Sequence, residues 1–75
     1  MTVKYEIERA LLKHPVWPTD PFRAASVLVE EVGELVKAIN EGDVAGANAE
    51  AAQVVATAIR FYKNRKNYEY RDVPG

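Results

Sequence analysis

Seventy-five residues make one domain at most, and a chain this short buries only about 60–65% of the surface its unfolded form exposes. It has no cysteine and a single histidine, His14, which excludes disulfides, the common zinc clusters and any two-histidine metal site within one chain. A formal net charge of −1 exerts no long-range pull on polymeric nucleic acid or an anionic membrane, so neither is an expected partner.

The start, Met1-Thr2-Val3-Lys4-Tyr5-Glu6, leads into no apolar signal-peptide core, and no apolar run approaches the roughly 20 residues of a membrane span. A soluble cytoplasmic protein is expected. Val3, Ile7, Ala10 and Leu11 recur at helical spacing and predict a short amphipathic helix over 3–13. His14-Pro15-Val16-Trp17-Pro18-Thr19-Asp20 then breaks the pattern, because each proline drives its predecessor toward extended backbone.

Asp20-Pro21 reads as a helix start, an N-cap acid followed by proline in the first turn. Ala25, Leu28, Val32, Leu35, Val36 and Ile39 then keep a helical rhythm up to Glu41. Gly42 suits a left-handed C-terminal cap, and Asp43 can cap the next helix at once, from Val44 to about Asn64. Each long helix spans about 31 Å at 1.5 Å per residue, and the short turn between them requires an antiparallel hairpin.

Seven alanines lie between Ala45 and Ala58, with Val54, Val55, Ile59, Phe61 and Tyr62 among and after them. Small apolar residues on nearly every side suit a helix surrounded by others, which one hairpin and one short helix cannot supply. The expected architecture is therefore all-α: a single domain over 1–75 with its core at about 3–64. An antiparallel hairpin and a short N-terminal helix would be completed into a four-helix-type bundle by homo-oligomerisation, as a dimer or tetramer. Residues 65–75 lack periodicity and read as a tail, either disordered or laid against a partner subunit.

The acids sort themselves by helical angle. Glu30 lies opposite the apolar centre formed by Leu28, Leu35 and Ile39, where solvent is expected. Glu31 and Glu34 fall on one flank of that centre, beside Ala24, Val27 and Ala38. On the next helix, centred on Ala51, Val55, Ala58 and Tyr62, Glu50 lies on a flank and Gln53 further out on the same side. Counted outward from the turn, Glu34 is level with Glu50 and Glu31 with Gln53, each within one residue or about 1.5 Å. If the apolar centres face each other, all four side chains converge. Three carboxylates and an amide oxygen make a hard, oxygen-only set suited to Mg²⁺ or Mn²⁺, and Mg²⁺ typically meets substrate phosphates.

The spacing Glu31-x-x-Glu34 followed by Glu50-x-x-Gln53 resembles the Glu-x-x-Glu…Glu-x-x-Asp signature of the all-α MazG-like family, and residues 14–64 look like its short, phage-type members. The resemblance implies Mg²⁺-dependent hydrolysis of a nucleoside triphosphate to monophosphate and pyrophosphate. Glu31, Glu34, Glu50 and Gln53 would be ligands, and Glu34 the acceptor of the water's proton. Gln53 stands where the family has an acid, which lowers the formal site charge from about −4 to −3.

Trp17 has two readings, a platform for a nucleobase or a plug at the end of a small core. Lys63, with Arg60, Arg65 and Lys66, is a candidate for holding phosphates, although cations at a helix C-terminus also offset the macrodipole. A di-iron bundle is set aside, since it requires Glu-x-x-His motifs and His14 lies outside both acidic pairs. A degenerate, non-catalytic module that binds a nucleotide or a protein is the alternative, favoured by Gln53 and by the short segment after the hairpin.

Overall fold

The computed structural model describes Lys4, Tyr5, Glu8, Arg9, Leu12 and residues 16–71. Those five N-terminal residues are helical. Val3, Ile7, Ala10 and Leu11, on which the expected N-terminal helix rested, lie outside the described residues, as do His14 and 72–75.

Two long helices form the body. Helix α1 runs over Pro21–Asn40, and the Asp20 carboxylate accepts a 3.0 Å hydrogen bond from the Phe22 backbone N–H. At its other end the Gly42 N–H donates to Ile39 and the Asp43 N–H to Ala38, closing the last turn on its own carbonyls. This closure requires the left-handed backbone at Gly42, whose φ is +69°. Asp43 then caps α2, Val44–Lys63, by accepting from the Gly46 N–H at 2.9 Å. Both helices begin where the capping residues predicted and stop one residue earlier than expected.

The faces that meet differ from expectation. The line of α1 buried against α2 is Ala24, Glu31 and Ala38, and the buried line of α2 is Gln53, Ala56 and Thr57. The expected apolar centre of α1 lies about 60° round from this line at 100° per residue, which leaves Leu28 and Leu35 half-buried at its edge and Ile39 60% exposed. That of α2 is rotated to roughly the opposite side: Ala51 and Ala58 are exposed, as are Val55 and Tyr62. Alanine and glycine let two backbones approach closely, and α2 is apolar nearly all round, so hydrophobic periodicity alone does not choose its inward face.

The segment read as a tail folds back on its own chain. After Lys63 a short 3-10 turn, Arg65–Asn67, leads to Tyr68, which is buried with its ring centroid 4.7 Å from that of Phe61. The Tyr68 hydroxyl donates to the Phe61 carbonyl at 2.9 Å and accepts from the Trp17 indole N–H at 2.7 Å. The Glu69 N–H donates to the Thr19 carbonyl at 2.9 Å, tying this segment to the loop before α1. Tyr68 thus belongs to the core, beyond the expected limit at residue 64.

The result is a slab of 45 × 25 × 15 Å, its thinnest dimension little more than one helix diameter of about 10–12 Å. Among the described residues the buried hydrophobic side chains are Ala24, Ala38, Ala56 and Tyr68. No helix among them is long and apolar enough to cross a membrane.

Candidate functional site

The turn and its flanking helical ends gather acids. Glu34 and Glu50 line one hollow of about 160 Å³ together with Lys37, Ala38, Glu41, Asp43 and Gly46. The level counting from the turn is what brings Glu34 and Glu50 there, one from each helix. Glu41 and Asp43 join them because they flank Gly42, and their adjacency to the turn was the signal that the spacing argument overlooked. Lys37 contributes the one cation among the lining residues, one helical turn after Glu34. Asp43 is already committed in part, since its carboxylate caps α2.

Glu31 and Gln53 occupy a different place. Glu31 is 1% exposed and sits in the seam between the helices, and Gln53 is buried opposite, in the seam line of α2. The Thr57 hydroxyl donates to the Gln53 carbonyl at 2.8 Å, completing a polar strip within an otherwise alanine-lined contact. Glu31, Glu50 and Gln53 each engage other groups, although Glu31 Oε2 accepts no hydrogen bond. The four expected ligands therefore divide in two. Glu34 and Glu50 border an open hollow, while Glu31 and Gln53 are buried in the contact between the helices beside it.

Among the described residues, no group of three or more His, Cys, Asp or Glu side chains is arranged to hold a metal ion. Mg²⁺ does not require such a cage. It keeps several waters and is commonly held by one or two carboxylates plus substrate phosphates. The oxygen donors of Glu34 and Glu50 on an accessible hollow fit that mode, and they do not fit zinc.

The other candidates lie at the far end. Lys63 is exposed and thirteen residues beyond Glu50, about 20 Å along the α2 axis. The Arg60 guanidinium lies 4.7 Å from the centre of the Trp17 ring. Desolvation by burial lowers the Arg60 pKa, partly opposed by Tyr68. Between Arg60 above and Tyr68 beside its N–H, Trp17 closes the end of the core. A single chain thus does not bring Trp17 or Lys63 to the acidic hollow. Tyr68 was missed from the sequence because its role depends on a contact 51 residues away, which no local pattern encodes.

Comparison with protein-family models, curated proteins and solved structures gives no match to this chain.

Proposed function

We propose that this chain is a Mg²⁺-dependent hydrolase converting a nucleoside triphosphate to its monophosphate and pyrophosphate, as its resemblance to MazG-like enzymes implies, and that it acts as a homo-oligomer, as the apolar residues on nearly every side of α2 suggest. The observation that carries the reading is the shared hollow. Glu34 and Glu50, sixteen residues apart on two helices, border one accessible space at the level that the paired acidic motifs require.

Bound there, Mg²⁺ supplies charge neutralisation for the phosphate chain and acidity to coordinated water. Glu34 and Glu50 would hold it, one from each helix, with Glu31 and Gln53 buried between the helices and fixing their approach. Glu34 is the base that accepts the proton of the water attacking the α-phosphorus. Lys37, on the same hollow, offsets charge on the departing pyrophosphate. Lys63 is too distant within one chain and would act only from a second copy.

The test is a panel of common and modified triphosphates with Mg²⁺ or Mn²⁺, scored for pyrophosphate. The expected products are monophosphate and pyrophosphate, and in ¹⁸O-water the label should enter the monophosphate. Label in the pyrophosphate would overturn the attack at the α-phosphorus. The absence of pyrophosphate across the whole panel would favour the second reading, a non-catalytic module that binds nucleotide or protein. That reading draws on the distance of Lys63 from the hollow and on Gln53 standing where the resembled motif has an acid.

A further inference from the structure

Helix α1 carries two apolar seams, and the hairpin uses one. The inner seam, running through Ala24, Leu28, Glu31, Leu35 and Ala38, faces α2 and alternates steps of four and three. The outer seam is Phe22, Ala25, Val29, Val32, Val36 and Ile39, with steps of three, four, three, four and three. That alternation is the heptad spacing by which one helix packs along another. Five of the six side chains are exposed, Phe22 to 81%, and Ala25 is half-buried.

We propose that the outer seam of α1 pairs antiparallel with the same seam of a second copy, each Phe22 seating in a hollow at the other copy's hairpin turn. The hollow is present. It measures about 190 Å³ and is lined by Ile39, Gly42, Asp43, Val44, Ala47 and Asn48. A two-fold axis midway between Glu30 and Glu31 sets Phe22 level with the second copy's Ile39, on the wall of that hollow. The same operation sets Ala25 against Val36 and Val29 against Val32, so all six seam residues find apolar partners. Because the contact is isologous, the ring and hollow meet at both ends. Parallel pairing would instead stack Phe22 on Phe22 and leave both hollows unfilled. An antiparallel shift of one heptad would take either Phe22 and Ala25 or Val36 and Ile39 out of the contact at both ends, depending on its direction, and in neither case would Phe22 reach the hollow.

A second copy is the occupant because the exposed ring and the hollow stand at opposite ends of one seam, so a two-fold pair fills both hollows with its own two rings at once. The flank of the seam is also suited to close approach. Ser26, Gly33 and Asn40 recur along it at intervals of seven, and a Cβ added at Gly33 meets nothing within 4 Å. Arg23, Glu30 and Lys37 lie further round, off the seam. The inference specifies the self-association named in the functional reading and is independent of the chemistry at Glu34 and Glu50.

Light scattering on a size-exclusion column, read across a dilution series, measures the dimer, and far-UV circular dichroism confirms that each variant is helical. Phe22→Ala removes two rings per dimer and should raise the dissociation constant on the order of a hundredfold. For orientation, the chain has no cysteine of its own, so Ser26→Cys and Gly33→Cys chains can be mixed and treated with a short bis-maleimide. In the proposed dimer positions 26 and 33 of different copies lie about 3 Å apart in level, whereas two positions 26 lie about 14 Å apart. The 26–33 product should therefore exceed both homo-products. A monomeric wild type, an unchanged dissociation constant for Phe22→Ala, or dominant 26–26 product overturns the proposal. A dimer that survives Phe22→Ala unweakened refutes this seam while leaving self-association through another face intact; a monomeric wild type also removes the homo-oligomer from the functional reading, whereas the chemistry at Glu34 and Glu50 is decided separately by the pyrophosphate assay.

Discussion

At the scale of single residues the acids are not equivalent. Glu34 and Glu50 border the hollow, whereas Glu30 is exposed and is not among the lining residues. Mg²⁺ or Mn²⁺ should raise the melting temperature of the wild type, because a ligand that binds only the folded state stabilises it. The rise should vanish in Glu34→Gln and in Glu50→Gln and persist in Glu30→Gln; equal loss in all three would mean unspecific charge screening. Pyrophosphate release should fall by at least about a hundredfold in Glu34→Gln, the usual scale for losing a general base. At the far end, Tyr68→Phe leaves the half-buried Trp17 N–H without its acceptor and removes the bond to the Phe61 carbonyl. It should cost about 1–3 kcal/mol in chemical denaturation, with the helical signal retained. A loss below a few tenths would show that the aromatic stack and the Glu69–Thr19 backbone bond hold residues 65–71 without the Tyr68 hydroxyl.

At the scale of elements, three glycines that look alike in sequence carry different burdens. Gly33 sits mid-helix in α1 with open space where a Cβ would go, so Gly33→Ala should stabilise by about 0.5–1 kcal/mol through helix propensity. A Cβ at Gly46 would strike the Asp43 carboxylate that caps α2, so Gly46→Ala should displace the cap and cost about 1 kcal/mol despite its gain in propensity. At Gly42 nothing crowds the Cβ, yet φ of +69° strains any other residue, and Gly42→Ala should cost about 1 kcal/mol. Urea unfolding of the three variants checks the order, and a stabilised Gly46→Ala would show that the Asp43 cap contributes little.

At the scale of the whole molecule, the small described core sets the expectation. Ala24, Ala38, Ala56 and Tyr68 give the hairpin contact little bulk, while the valines, Ile39 and Phe22 on the outer side of α1 remain accessible. Burial of those side chains between copies would couple folding to association. The melting temperature should accordingly climb with chain concentration over a hundredfold range. A concentration-independent midpoint would show that one chain alone accounts for the measured stability.

Local chemistry was legible from the amino-acid order. Asp20-Pro21, Gly42-Asp43 and the helical rhythm between them set where both long helices begin and where they turn, since caps and left-handed glycine act over a few residues. The level of Glu34 with Glu50 followed from counting along rigid helices of fixed rise. Which faces met did not follow, because α2 offers small apolar residues on almost every side, and the inward lines went to Ala24, Ala38 and Ala56 while larger side chains stayed accessible. That choice placed Glu31 and Gln53 in the seam instead of at the hollow. The return of residues 65–71 onto Thr19 and Trp17 was likewise decided by tertiary contact, as a tyrosine with no periodic neighbours gives no sign in the sequence of what it will pack against.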